Sequence, residues 1–167
     1  MSDVPGTPDP LFGSTVFVWI VALAAGAVVC TAARVTANRR WPASAALAAG
    51  VGLTTVVTWL VVRVVAWVPP WESLGTPTAA LTAAGMGWVA VTGQTLVPTL
   101  AVRRGLWTPL LPLAAATTLA VFGVLRVGGE SDTLVIYALA FAPLAVATQL
   151  LFVAGEFGLR RLGDRFG

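Results

Sequence analysis

Two arginines and two glutamines, lying within long apolar segments or near their ends, are the first candidates for chemistry. Arg63 and Arg126 each lie near the end of an apolar run, and Gln94 and Gln149 lie inside two others. A charged side chain within a membrane is costly and marks a functional site by default. A buried amide, in turn, needs a hydrogen-bonding partner. These four residues therefore either form a functional site or have structural roles, the arginines at the membrane surface and the glutamines between helices.

The two arginines are expected at the outer surface of a membrane. Arg126 is followed after one residue by two glycines, so it lies at the end of its apolar run. Arg63 and Arg126 each lie eight residues after the second residue of a threonine pair, so similar depths are expected for both. A long side chain near a helix end can reach the headgroups while its stem stays in the lipid. Such snorkelling is the favoured interpretation, and an outward-facing site for an anionic headgroup or a carboxylate ligand is the alternative. Glu72 and Glu130 are the acids nearest in sequence that could neutralise this pair.

The two glutamines are expected at similar depth. Gln94 lies nine residues before Arg103, and Gln149 lies eleven before Arg160. At a helical rise of about 1.5 Å per residue, both are about 14–17 Å from the inner boundary. An interhelical hydrogen bond between them is the favoured interpretation. The alternative is a polar cavity lined by Gln94, Gln149, Thr92, Thr95 and Thr148.

No catalytic constellation is visible in the sequence. The chain has no histidine and one cysteine, Cys30. This composition disfavours the usual proton shuttle, a zinc site built on several cysteines and an internal disulfide. No carboxylate lies in the middle of an apolar segment, where proton-coupled transporters usually have one. We therefore predict a protein without enzymatic activity, metal or other cofactor, and a membrane enzyme is the least favoured alternative.

Membrane-spanning helices are predicted to carry these residues. Of the 167 residues, 57% are hydrophobic and 10% are charged, whereas soluble domains have about 25% charged residues. Apolar segments of about 20 residues, without the alternating polarity of barrel strands, predict an all-α integral membrane bundle. Five spans are expected, of which the fourth is the shortest, at about 15–35, 43–67, 79–102, 110–127 and 133–154.

The arginines predict the orientation of the bundle. Cytoplasmic segments carry an excess of positive charge, and eight of the ten arginines follow the first, third and fifth spans: Arg34, Arg39, Arg40, Arg103, Arg104, Arg160, Arg161 and Arg165. The N-terminus is therefore expected outside and the C-terminus inside the cell membrane. Residues 1–12 are expected to be a short disordered outside tail, 13–157 a single bundle and 158–167 a short basic inside tail.

Two stretches, 39–104 and 103–161, share an ordered series of polar residues. Each has an inner arginine pair, a tryptophan, a proline, a threonine pair and an arginine eight residues after the second threonine. A Glu-Ser dipeptide and a glutamine on the returning helix follow in both. The series predicts one leading helix and two parallel two-helix repeats. Biased composition together with the positive-inside rule is the alternative explanation.

The function expected from these features is that of an accessory, assembly or scaffold subunit. The loops are short, no soluble domain fits between the spans, and activity would be expressed through a membrane partner or a homo-oligomer. A small permease or channel protomer with a polar lining at Gln94 and Gln149 is the alternative. The net charge of +3 does not indicate nucleic-acid binding, because the arginines lie at membrane boundaries rather than on one continuous basic face. Membrane lipids and a membrane protein are the expected partners.

Overall fold

The described residues fold into a bundle of five helices. The computed structural model describes residues 9–10, 13–37, 39, 41–66, 74–127 and 132–166. The helices are α1 (Thr15–Ala37), α2 (Trp41–Val65), α3 (Pro77–Arg103), α4 (Leu110–Leu125) and α5, which runs continuously through Thr133–Ile136, Tyr137–Phe141 and Ala142–Phe166. Helices α1, α2, α3 and α5 are long and apolar enough to cross a membrane. The prediction of an apolar, helical chain is confirmed.

Helix α4 is the shortest of the five, as expected for the fourth predicted span. Its 16 residues extend about 24 Å at the helical rise of about 1.5 Å, compared with a hydrocarbon core of about 30 Å. After α4 the backbone becomes extended and forms a two-residue strand, β2 (Arg126–Val127). This strand pairs antiparallel with β1 (Asp9–Pro10). Of the predicted outside tail, 1–12, only Asp9–Pro10 is described, and the prediction that this tail is disordered stays a prediction.

Local sequence accounts for the starts of α3 and α5. The Thr76 hydroxyl accepts a hydrogen bond from the Ala79 N–H at 3.1 Å, and a proline occupies the first turn of α3, where its missing donor carries no penalty. Asp132 caps α5 by accepting from the N–H groups of Leu134 and Val135 at 3.0 and 3.3 Å. Both helices therefore begin at fixed positions.

Helix α5 contains a π-helical segment, Tyr137–Phe141. The Ala142 N–H donates to the Tyr137 carbonyl five residues earlier, and the next residue, Pro143, has no N–H to donate. The wider turn changes the direction in which the following side chains point. Beyond it, α5 continues to Phe166, so the predicted basic tail at 158–167 is helical as far as it is described.

The most extensive packing joins α1 to α4 and α2 to α3. Both pairs approach closely at a glycine. A Cβ at Gly26 would lie 2.6 Å from Thr118 Oγ1, and a Cβ at Gly52 would lie 2.5 Å from Thr92 Oγ1. The predicted repeat units do not pack alike, because α2 packs mainly against its hairpin partner α3 whereas α4 packs mainly against α1.

Contacts at the two ends of the bundle separate two groups of arginines. At one end, here called the arginine-rich end, Arg34 lies over Trp107 and Arg160 donates to Glu156. At the opposite end, Arg63 contacts Asp132. The arginines that the sequence assigns to two sides are therefore found at two ends of the fold.

Candidate functional site

Arg63 and Asp132 form a buried ion pair between the end of α2 and the start of α5. Arg63 Nη2 lies 3.0 Å from Asp132 Oδ2, and the two side chains are 11% and 4% exposed. The other carboxylate oxygen, Oδ1, accepts the two N–H groups that begin α5. One carboxylate therefore neutralises a buried charge and also caps a helix.

This environment differs from the one expected for Arg63. The sequence predicted an arginine directed to the headgroups, with Glu72 and Glu130 as its nearest acids, and both of those acids lie outside the described residues. The structure instead buries Arg63 and directs it to Asp132. A charge removed from water requires a well-placed counter-charge, and Asp132 supplies it. Sequence spacing gives no signal for a pair formed across the fold.

Arg126, the counterpart of Arg63 in the predicted repeat, has different surroundings. Its guanidinium lies 5.5 Å from the centre of the Phe122 ring, and the residue is partly exposed. Phe122 stacks on Trp19, with ring centres 4.1 Å apart. The backbone of Arg126 belongs to β2 and is paired with Pro10. The contacts seen for the two outer arginines in the described part of the chain therefore differ.

Gln94 is fully buried on α3 and hydrogen-bonds to Tyr137 on α5. The Tyr137 hydroxyl donates to Gln94 Oε1, and it also lies 3.2 Å from the carbonyl oxygen of Ala116 on α4. Because a hydroxyl has one proton, these two acceptors share it. Three helices therefore meet at one polar point, while Gln94 Nε2 has no hydrogen-bond partner among the described residues.

Gln149 is also fully buried, but it lies apart from this cluster. Neither its Oε1 nor its Nε2 has a partner in the described part of the chain. It follows Tyr137 by twelve residues, which is about 18 Å along the helix at about 1.5 Å per residue. The expected Gln94–Gln149 hydrogen bond is not formed, because Gln94 accepts from Tyr137 and Gln149 lies further toward the arginine-rich end.

The three threonines of the predicted cavity are not gathered around the glutamines. Thr95 and Thr148 donate to carbonyl oxygens one turn earlier in their own helices, each at 2.8 Å. Thr92 packs against Gly52, and its hydroxyl has no hydrogen-bond partner among the described residues. The threonines therefore satisfy their own helices or pack between helices.

Tyr137 is the residue of this cluster that the sequence analysis missed. It is the only tyrosine of the chain and lies in an otherwise apolar segment. A buried tyrosine hydroxyl usually finds a hydrogen-bond partner, so a lone tyrosine inside an apolar span was an available signal. Its partners, however, come from two other helices and leave no mark in the local sequence.

A polar cluster fixes the α3–α4 loop at the arginine-rich end. Glu156 Oε2 accepts from the Thr108 N–H at 2.9 Å and from the Thr108 hydroxyl at 2.8 Å. Arg160 donates both to Glu156 and to the Gly105 carbonyl. The arginines around this cluster have exposed side chains: Arg34, Arg39, Arg103, Arg104 and Arg161. Arg40 of the predicted inner group lies outside the described residues.

Two apolar grooves lie on the outside of the bundle. The α3–α5 groove has a volume of about 790 Å³ and is lined by Thr82, Gly85, Met86, Val89, Ala90, Gly93, Ala138, Ala142, Pro143, Val146, Ala147 and Leu150. A second groove of about 630 Å³ lies between α1, α2 and α4 and includes Gly50. Neither groove is lined by Gln94 or Gln149.

The glycines facing these grooves differ from those inside the bundle. A Cβ at Gly85, Gly93 or Gly50 would meet no atom within 4 Å. A Cβ at each of four other helical glycines would lie within 3.0 Å of a neighbouring atom: Gly26, Gly52, Gly87 and Gly123. The internal glycines are therefore required by packing within the chain, and the groove glycines are not.

The described residues contain no group of three or more His, Cys, Asp or Glu side chains placed to hold a metal ion. Comparisons of the chain with known protein families, with characterised proteins and with solved structures give no match. The described part of the chain offers three kinds of groups that could bind another molecule: buried amides, exposed guanidinium groups and apolar grooves.

Proposed function

We propose that the chain is a small non-enzymatic integral membrane protein that acts as an accessory, assembly or scaffold subunit through a membrane partner. The observation that carries this proposal is the α3–α5 groove, into which Gly85 and Gly93 open two turns apart. A glycine within a helix costs about 1 kcal/mol relative to alanine, and no packing among the described residues requires these two. Small residues let helix backbones approach closely within a membrane. The groove therefore suits a transmembrane helix of a partner protein.

The composition of α3 supports the same assignment. It has the lowest mean hydropathy of the four long helices, although it is the longest uninterrupted α-helix at 27 residues. A helix of this kind gains least from contact with lipid and gains most from contact with protein. Covering its groove face by another helix would remove this face from lipid.

The topology proposed is five spans with the arginine-rich end in the cytoplasm, the N-terminus outside and the C-terminus inside the cell membrane. The positive-inside rule supports the orientation. Helix α4 would cross with local thinning of the bilayer, which a short span induces at modest cost. The shared polar series also supports an ancestral duplication of the two-helix unit, after which the packing of the two copies diverged.

Purification from native membranes in a mild detergent tests the function. We expect a stoichiometric partner that is lost when Gly85 and Gly93 are both replaced by leucine, because leucine side chains fill the groove. Gly50→Leu is the matched control, since Gly50 is equally open but faces the other groove. Recovery of the bare chain in repeated preparations, or a partner retained by the Gly85→Leu/Gly93→Leu variant, would contradict the proposal. Recovery of a second copy of the chain would identify the occupant as a homo-oligomer.

A permease or channel protomer is the second candidate, and the amide of Gln149, which has no partner among the described residues, favours it. A fully buried amide without partners pays a desolvation penalty of about 1–3 kcal/mol, which a passing polar solute or water would offset. Proteoliposome flux of glycerol and chloride is expected to fall when Gln94 and Gln149 are replaced by leucine. Unchanged flux would remove this lining.

A further inference from the structure

Arg34 and Trp107 form an exposed cation–π pair at the arginine-rich end. The Arg34 guanidinium carbon lies 4.8 Å from the centre of the Trp107 ring. Arg34 is in the last turn of α1, and Trp107 lies in the loop before α4 and is 44% exposed. A guanidinium that stacks on an aromatic face keeps its planar edge available for two parallel hydrogen bonds to an anion.

The loop that carries Trp107 is held in place from both sides. The Leu106 N–H donates to the Ala101 carbonyl at 3.0 Å, and the Leu106 side chain is buried. On the other side, Thr108 is bound by Glu156. The indole is therefore presented on a fixed loop, which lowers the ordering cost of binding.

The charge around the pair is positive and not neutralised by the nearest acid. Among the described residues, Arg34 has no ion-pair partner within the chain, and Glu156 is engaged by Arg160 and Thr108. Arg103 and Arg104 end α3 with exposed side chains and add to the same field. An anion is the complementary ligand.

Apolar side chains beside the pair indicate that this anion belongs to a lipid. Val35 follows Arg34 on α1 and is 57% exposed, and Leu111 lies one turn after Trp107 and is 68% exposed. Indole rings prefer the headgroup level of a bilayer. We propose that Arg34 and Trp107 bind the phosphate group of an anionic phospholipid, whose acyl chains contact Val35 and Leu111.

Native mass spectrometry of the full chain in a mild detergent tests this site. Phosphatidylglycerol is titrated against phosphatidylcholine with the same acyl chains. We expect tighter binding of phosphatidylglycerol and a loss of about tenfold in its affinity for Arg34→Gln, the effect of losing a charge-assisted hydrogen bond to the phosphate. Arg34→Lys should lose less, because it keeps the charge without the planar fork. Trp107→Leu, which keeps every charge, should also weaken binding.

Arg161→Gln is the matched control, because Arg161 also stacks on an aromatic ring, Phe157, at 5.2 Å, but within α5 alone. Its effect should be less than twofold. Equal binding of the two lipids, or an equal loss in the Arg161→Gln and Arg34→Gln variants, would overturn the site. Displacement of phosphatidylglycerol by millimolar glycerol phosphate would assign the site to a soluble anion and overturn the lipid proposal. Circular dichroism of each variant detects any loss of helical structure. If Arg34→Gln unfolds, the lipid affinity of Trp107→Leu tests the site instead.

Discussion

The Asp132 carboxylate combines a charge role and a capping role that single substitutions can separate. Asparagine caps a helix about as well as aspartate but cannot neutralise Arg63. We expect Asp132→Asn to destabilise the bundle by about 3–5 kcal/mol, because it leaves a buried charge without its counter-charge. Unfolding in detergent micelles measures this, and adding Arg63→Met should restore most of the loss. A change within about 0.5 kcal/mol, typical of surface substitutions, would contradict the buried pair.

Removing the hydrogen-bond donor to Gln94 and removing the amide of Gln149 are expected to change the stability of the bundle in different ways. Tyr137→Phe removes the donor to Gln94 and should destabilise by about 0.6–2 kcal/mol. Gln149→Leu removes two unpaired polar atoms and should be neutral or stabilising, by up to about 1–3 kcal/mol. The same unfolding assay compares them. If Gln149→Leu is the more damaging change, the Gln149 amide has a partner that lies outside the described residues.

The sequence identifies polar residues in apolar segments, but it does not identify their partners. Gln94 and Gln149 were expected to be buried among helices, and both are fully buried. Their expected mutual bond was wrong, because the partner of Gln94 is Tyr137, which lies 43 residues away. The sequence predicts that Arg63 reaches the headgroups, because it does not show how α2 and α5 pack and so does not reveal the pairing with Asp132. Contacts of this kind are set by tertiary structure.

At the scale of elements, glycines decide how closely helices approach. A Cβ at Gly52 would lie 2.9 Å from the Trp88 backbone carbonyl, which cannot move aside as a flexible side chain can. We therefore expect Gly52→Ala to destabilise by about 1–3 kcal/mol through overpacking. Gly50→Ala, two residues earlier and facing open space, should stabilise by up to about 1 kcal/mol. Equal effects in thermal unfolding would show that α2 and α3 do not meet at Gly52.

The positions of the helices follow from the sequence more closely than their partners do. Apolar runs of span length located the five helices of the described residues, and the fourth run is recognisably the shortest. The sequence does not predict the π-helical segment, because the proline at position 143 is compatible with an ordinary kink as well as with a wider turn. Nor does it predict the packing of α4 against α1, since apolar side chains surround each helix and do not mark a single buried face. Small residues such as Gly26 fix these partners, and in an alanine-rich chain they are too common to stand out.

At the scale of the whole molecule, the two ends of the bundle should lie on opposite sides of the membrane. With Cys30 replaced by alanine, Arg104→Cys should react with a membrane-impermeant maleimide only after the cells are opened. Ser14→Cys, at the exposed start of α1, should react in intact cells. These outcomes follow if the arginine-rich end is cytoplasmic. Labelling at position 104 in intact cells would reverse the orientation.

The central proposal, that the bundle acts through a partner helix in the α3–α5 groove, is tested most directly by photocrosslinking in native membranes. A photoreactive residue replaces Val89, which lines this groove and is 63% exposed. The control replaces Leu53, which is 59% exposed on α2. We predict one discrete protein adduct from position 89, absent from position 53 and lost on adding Gly85→Leu. Absence of a discrete adduct at position 89, or the same adduct at position 53, would contradict the proposal.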